Sequence, residues 1–517
     1  MTSHPLPPRL LVALWALAAA LLVAGLWSSW ARAAQDTLAA PAAVAPDTVP
    51  GLADSAAPRS PASQAGARAA QARADLDTPF HERLVSILGM GVMVLIAWLL
   101  SVNRAAFPLR IVLWGTTLQI VFALLILRTQ PGEQFFALVN DAFIQLLDYT
   151  KAGARFIFGN LIDNNIPVGT PIGEPVGTAP IQPLDPPRFA SAGSYFAFTV
   201  LPTIIFFSSF MTVLYHLRIM QWVVKGVAWV MQRTMGTSGA ETLSASGNIF
   251  VGQTEAPLMI KPFVQKMTMS ELHCVMTGGF ATVAGGVMAA YVGMLVAYFP
   301  DIAGHLLAAS VMSAPAAILI SKVMYPEEEE PETKGTLKAD IPSPDVNVID
   351  AAARGAGEGL TLALNVGAML LAFIALVALL NGVLGWAGGL VGWENLRLEL
   401  VLGWILAPLA WVMGVPWNDS VAIGSLLGIK TVLNEFVAYL QLAGSLQQGV
   451  PLEPRSVVIA TYALCGFANF SSIAIQIGGI GGIAPARRSD LSRIGLRAMI
   501  GGTLAAFMTA TVAGAIL

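Results

Sequence analysis

The chain has little charge for its length. Of 517 residues only 11% are Asp, Glu, Lys or Arg, 56% are hydrophobic, and the mean hydropathy is +0.69. A water-soluble domain carries about 25% charged residues. This chain therefore cannot clothe a water-facing surface of its size, and the bilayer is its natural solvent. It lacks a basic excess as well: the net charge is −3, so the electrostatic footprint of a nucleic-acid binder is missing. Cysteine is scarce. Cys274 and Cys465 lie in different apolar segments and form no metal, redox or disulfide pattern. No Gly-rich phosphate loop, zinc spacing or nucleophile elbow occurs, which disfavours ATP-driven transport by this chain. An intramembrane enzyme would have neither nucleophile nor metal here. His273 sits beside Cys274 without an evident orienting carboxylate and reads as a helix-start residue.

What is present is apolar sequence in long runs. Arg9 precedes the run Leu10–Trp27, and Ala31-Arg32-Ala33 supplies an A-x-A pattern before Ala34. This predicts an export signal over 1–34, either cleaved or kept as an anchor. Residues 35–80, rich in Ala, Pro and Ser, read as a disordered linker. About 20 apolar residues span a bilayer as a helix, and crossings are predicted near 84–102, 111–127, 195–215, 272–298, 306–322, 359–383, 457–483 and 496–517. Residues 135–147 form a shorter amphipathic helix with Phe136, Val139, Phe143, Leu146 and Leu147 on one face. The Pro-, Gly- and Asn-rich loop 160–192 reads as an exposed excursion. If residue 84 starts outside, fourteen Lys and Arg fall in inside loops and seven outside, Lys430 and Arg455 among the seven. That bias agrees with an exported N-terminus and places both mature termini outside.

The chain repeats itself. Ala228-Trp229-Val230-Met231 recurs as Ala410-Trp411-Val412-Met413, and Met235-Gly236 with Glu241 matches Met413-Gly414 with Asp419. Glu255 matches Glu435, and Gly279-Phe280-Ala281-Thr282 matches Gly466-Phe467-Ala468-Asn469, all at offsets of 178 to 187. The segments 237–266 and 419–445 are too polar and broken to cross, so each reads as a re-entrant hairpin. Three crossings separate the halves, which inverts the second. Inverted repeats with hairpins and discontinuous helices are a transporter architecture, with the site near the membrane midplane.

The polar residues at that depth are the chemistry. Ser246–Pro257 carries Asn248, Gln253, Thr254 and Glu255 between strongly apolar flanks. A carboxylate in the bilayer is costly and functional by default. Glu435 holds the matching place, and Asn469 and Ser472 follow Phe467 in a helix that ends in a glycine-rich run. Thr282 and Val283 lie between glycine pairs, where an unwound turn can offer a hydroxyl and a carbonyl to a hard cation. Two carboxylates, amides, hydroxyls and aromatics, with no lysine or arginine at the centre, suit a neutral, hydroxyl-rich ligand with a planar ring.

In Gly247–Pro257, Thr277–Gly286, Asn434–Tyr439, Cys465–Ser472 and Ile483-Ala484-Pro485 with Arg487-Arg488, the sequence resembles the concentrative nucleoside transporter family, from about residue 84 to the end. The resemblance implies an all-α polytopic membrane protein of eight crossings and two re-entrant hairpins, assembled as a homotrimer in which a transport domain slides against a scaffold. The corresponding divisions are scaffold helices over 81–215, a first repeat over 216–325, an acidic inside loop over 326–356, a central scaffold helix over 357–395 and a second repeat over 396–517. It further implies that Gln253, Thr254 and Glu255 bind the nucleobase, with the Val287 backbone lining its pocket. Glu435, Asn469 and Ser472 would bind the ribose, with Phe467 packed nearby. Asn248, Val251, Thr282 and Val283 would hold Na+. Thr282 stands where a serine is expected in bacterial relatives, with its hydroxyl retained. The implied function is import of nucleosides across a bacterial inner membrane with Na+, or with H+ as the alternative coupling ion.

Overall fold

The structure is a computed structural model that describes residues 80–162, 165–171, 181–191, 196–335, 345–390, 392–393 and 396–517. The expected export signal, and the linker up to residue 79, lie outside the described residues. Helices α1 (Phe80–Leu99) and α2 (Leu109–Arg128) run through apolar sequence and end at the polar loops. The helix α3 extends over Gln130–Phe158, well beyond the amphipathic stretch 135–147, because Thr129 caps it and Pro131 suits its first turn. Phe136 and Leu147 on its predicted apolar face are buried.

The loop 160–192 departs from an all-α reading. It carries two antiparallel strands, β1 (Asn165–Pro171) and β2 (Ile181–Ser191), with a register break between Val168 and Gly169. Prolines 167, 171, 183, 186 and 187 lie in these strands. Proline cannot donate to a ladder, so such strands remain a two-stranded ribbon.

The helix α4 (Leu201–His216) packs along α10 (Val348–Gly389), a helix of 42 residues. Their contact is set by a small-residue stripe, Ala351, Gly355, Gly359 and Ala363, all buried. A Cβ on Gly359 would lie 2.8 Å from the Ile205 Cα, so only glycine permits this approach. The opposite face of α10 exposes Leu364, Leu371 and Leu379.

Between and after these come two halves of like order. The first runs α5 (Ile219–Met235), α6 (Gly239–Gly247), a short 3-10 turn, α7 (Met269–Ala281), α8 (Gly285–Leu295) and α9 (Ile302–Met324). The second runs α11 (Leu398–Val412), α12 (Trp417–Val432), α13 (Glu435–Gln447), α14 (Pro454–Leu464), α15 (Phe470–Ile483) and α16 (Arg488–Ile516). The chain turns by 118° between α11 and α12, a bend of the kind that a re-entrant hairpin requires. Seven of the eight expected crossings are single apolar spans, α7 and α8 together being one of them. The eighth, 457–483, is split into α14 and α15 by the break at Cys465–Asn469, and neither piece reaches the 18 residues of a span alone.

Contacts between loops sort into two faces. At one, Val102 donates to the Met324 carbonyl at 3.0 Å and Arg487 to the Met267 carbonyl at 2.6 Å. At the other, Arg83 and Arg128 both donate to the Leu517 carbonyl, at 3.0 and 3.1 Å. Three cations assigned above to loops are in fact buried: Lys322 within α9, Lys430 within α12 and Arg455 within α14.

Lys322 is held by Glu241 at 2.8 Å, with both side chains at 2% exposure or less, and also by Glu327 and the Ser270 hydroxyl. The pair pins α6, and with it the first hairpin, to α9. Removing one partner of a buried pair strands the other charge, so Lys322→Met is expected to cost about 3–5 kcal/mol of stability. The measurement is Tm in detergent. Combining Lys322→Met with Glu241→Gln, which keeps an acceptor for the Ser238 cap, should recover most of the loss.

Candidate functional site

Two broken helices cross at the centre of the molecule. The break between α7 and α8 exposes the Thr282 carbonyl, and the break between α14 and α15 exposes the Phe467 amide. That amide donates to the Thr282 carbonyl at 3.3 Å. Between them Gly466 adopts φ +148°, and a Cβ there would lie 2.8 Å from the Phe280 carbonyl oxygen. An L-residue would be strained in this conformation and would clash.

Around this crossing the predicted residues gather. Gln253, buried at the tip of the first hairpin, donates to the Ser472 hydroxyl at 3.2 Å. Ser472 sits in the first turn of α15, and its amide donates at 2.9 Å to the side chain of the N-cap Asn469. Asn469 in turn donates from Nδ2 to the Glu435 carboxylate at 3.0 Å. Glu435 opens α13, where Asn434 caps the helix and the dipole favours a negative charge. The chain of contacts thus joins Gln253, Ser472, Asn469 and Glu435 across both hairpins. Thr254 packs against Gly479 of α15, where a Cβ would come within 2.7 Å of its methyl group.

Glu255 differs from its counterpart. It is exposed, and its carboxylate accepts from the Thr254 hydroxyl at 3.0 Å; no bond joins it to Glu435. Val287 is buried in the first turn of α8, and Phe467 is half-buried at the break.

Near the crossing lie the four residues proposed for a cation. Asn248 is fully buried, and both polar atoms of its amide lack a hydrogen-bond partner. An unsatisfied buried amide costs about 1–3 kcal/mol, so an oxygen-seeking cation is a natural partner. Thr282 donates its hydroxyl proton to the Gly278 carbonyl at 3.0 Å, which leaves oxygen lone pairs free for a cation. Gly278 is also the backbone against which the Asn248 amide rests. Val283 is buried in the break and Val251 is half-buried at the hairpin tip. Oxygen donors of this kind fit Na+.

These residues match known proteins. The patterns described as "Na+ dependent nucleoside transporter N-terminus" and "C-terminus" match residues 88–161 and 305–514, and "Nucleoside recognition" matches 197–298. An uncharacterized transporter of Haemophilus influenzae is 45% identical over 434 residues, covering 83% of this chain and 97% of that protein. The chain belongs to the Na+-dependent nucleoside transporter family. The family consists of transporters, not enzymes. The sodium/nucleoside cotransporter 1 of Mus musculus is 41% identical over 446 residues, 84% of this chain, which spans 64% of the mouse protein's length. Solved structures of CNTnw superpose well. A variant in an outward-facing state has a TM-score of 0.74 at 40% identity, covering 84% of this chain and 97% of that one. An inward-facing substrate-bound state has a TM-score of 0.73 at the same identity and coverage.

Two buried residues join this site beyond those read from the sequence, and a third lies in an arm that leads to it. Tyr291 of α8 donates its hydroxyl to Glu435 at 2.9 Å. Gln476 of α15 donates to the Gln253 side-chain oxygen and to the Met276 carbonyl, both at 3.1 Å. Lys430 lies in the arm that leads to Glu435, which corrects its placement in an outside loop. A glutamine or tyrosine in so apolar a helix is the signal that finds the first two. Gln476→Leu removes both bonds and leaves the buried Gln253 side-chain oxygen without its donor, while the Met276 carbonyl stays within the hydrogen-bonded α7. The substitution is expected to lower stability by about 1–3 kcal/mol, read as a Tm shift in detergent.

Proposed function

We propose that this chain is a symporter that imports nucleosides across a bacterial inner membrane, driven by Na+ moving down its gradient. The observation that carries the reading is the hydrogen-bonded run Gln253–Ser472–Asn469–Glu435 beside the unpartnered Asn248 amide. Such a run of amide, hydroxyl and carboxylate can exchange its internal bonds for those of a polar, uncharged ligand. On this reading Gln253, Thr254 and Glu255 take the nucleobase, with Val287 behind it. Glu435, Asn469 and Ser472 take the ribose hydroxyls, and Phe467 packs beside them. Asn248, Thr282 and the carbonyls of Val251 and Val283 take the sodium ion. Because Asn248 sits on the first hairpin and Thr282 at the first break, an ion there ties the two together and readies Gln253 for the base.

Movement follows from the same geometry. The two hairpins and the two broken helices are bonded to one another, so they travel as a body past α4 and α10 in an elevator-type exchange between faces. The outward- and inward-facing CNTnw structures support such a cycle. The apolar outer face of α10 suits lipid or a neighbouring copy in a homotrimer. The excess of Lys and Arg on one set of loops supports both termini outside. With Lys322, Lys430 and Arg455 set aside as buried, that excess is thirteen against five.

Uptake of radiolabelled uridine into proteoliposomes, with and without an inward Na+ gradient at fixed pH, tests this. Gradient-driven accumulation is expected, and Glu435→Gln should abolish it. Uptake that ignores Na+ and follows pH would replace the coupling ion with H+. Asn248→Leu should raise the half-saturating Na+ concentration by about tenfold or more, the equivalent of one lost contact of about 1.4 kcal/mol. An unchanged value would remove Asn248 from the ion site.

A further inference from the structure

Lys430 is the one buried lysine here that has no acidic partner. It is fully buried, and among the described residues no carboxylate lies within ion-pair distance. Its ammonium donates to the Ala463 carbonyl at 2.8 Å and lies 6.0 Å from the centre of the Phe507 ring. Burying an ammonium costs several kcal/mol unless something offsets it. The offset here is a helix end. Ala463 is the penultimate residue of α14, whose last four carbonyls have no partner within the helix and carry the negative end of its dipole.

The other carbonyls of that end are informative. Tyr439 of α13 donates to the Thr461 carbonyl at 2.7 Å. Both arms of the second hairpin therefore reach the same helix end, one through Lys430 and one through Tyr439. Tyr439 stacks on Tyr291 with ring centres 4.4 Å apart, and Tyr291 donates to Glu435. Just past the break Asn469 donates to the other Glu435 oxygen. The loop of contacts closes on itself: hairpin, helix end, break, Asn469, Glu435, hairpin.

The first half lacks such a lysine. There the negative end of α7 faces Asn248, whose amide rests against Gly278. At the 187-residue offset of the two breaks, Gly278 corresponds to Cys465, two residues after Ala463. The ammonium of Lys430 and the amide of Asn248 thus approach like places in the two halves. We infer that Lys430 is a resident cation of the second repeat, a positioning residue that ties the second hairpin to the end of α14 and so fixes Glu435 and Asn469 for the sugar of the ligand. It does in one half by covalent attachment what the coupling ion does in the other. The inference rests on the nucleoside reading above.

The test uses full-length protein in proteoliposomes and two substrates, uridine and 2′,3′-dideoxyuridine, which lacks the 2′ and 3′ hydroxyls of the sugar and keeps the 5′ one. K430M removes charge and donor; K430Q keeps a shorter, uncharged donor. Size-exclusion elution and Tm establish that each variant is folded, and the ratio is read on whichever variants pass. Wild type should prefer uridine by about tenfold or more, the effect of hydrogen bonds to the sugar. The variants should raise KM for uridine by about tenfold while changing that for the dideoxy analogue less than about twofold, so that the preference collapses. A helix prop without a positioning role would depress both substrates equally. Equal losses, or a preference kept at its wild-type value in either folded variant, overturn the proposal. Wild-type protein that takes up uridine without preferring it over the dideoxy analogue removes the sugar contacts themselves, and the proposal with them. Failure of wild type to take up either substrate overturns the nucleoside reading as a whole, a result separable from any effect of Lys430.

Discussion

Two helices are broken inside a membrane, and each break frees backbone groups that hydrocarbon cannot satisfy. Such backbone is tolerated only where protein or a water-filled cavity receives it. Here the breaks receive each other, through the bond from the Phe467 amide to the Thr282 carbonyl. Most of the central architecture serves that contact. Gly466 is needed because a side chain would collide with Phe280, and Asn469 is needed because α15 must start immediately after the break with a cap. The site is built from the residues that make the breaks tolerable.

On the reading proposed above, this explains why structural and binding duties fall on the same side chains. Asn469 caps a helix with its oxygen and holds Glu435 with its nitrogen. Thr282 ends one helix and, with its hydroxyl proton on the Gly278 carbonyl, keeps oxygen lone pairs free. A capping amide already oriented by its helix needs no further ordering to meet a ligand, and preorganisation of that kind is where polar sites gain affinity. The exposed Leu and Trp side chains of the outer helices have no comparable constraint and answer only to their apolar surroundings.

Legibility in the sequence follows the same division. The hairpin tips were readable because Asn248, Gln253, Glu255 and Glu435 interrupt apolar sequence, and the repeat was readable because glycine and aromatic positions recur in order. The contacts were not. Tyr291 meets Glu435 across 144 residues and Gln476 meets Gln253 across 223. Neither pairing leaves a local trace. Lys430 was misplaced for a physical reason: a lone lysine is ordinarily a loop or interface residue, and only the end of α14 makes its burial affordable. The ribbon at 165–191 was hidden by its prolines, which argue against strands in general but not against an isolated pair. The length of α3 was missed because its ends are set by Thr129 and by a polar stretch beyond Leu147, not by the apolar face.

The two halves share topology and differ in how they hold charge. Glu435 is buried and held on both oxygens, by Tyr291 and Asn469. Glu255, its counterpart, is exposed and held by its neighbour Thr254. The buried carboxylate has a lysine one turn before it in the same hairpin; the exposed one has none, and the amide in its own hairpin, Asn248, is unpartnered. On the reading proposed above, the second half carries its cationic group, Lys430, on its own chain. The buried lysine of the first half, Lys322, is taken up by Glu241, so on that reading the unpartnered Asn248 draws its cation from solution. On that reading the divergence between Asn248 and Lys430 separates a half that answers to an ion from a half that holds its ligand groups with its own side chains.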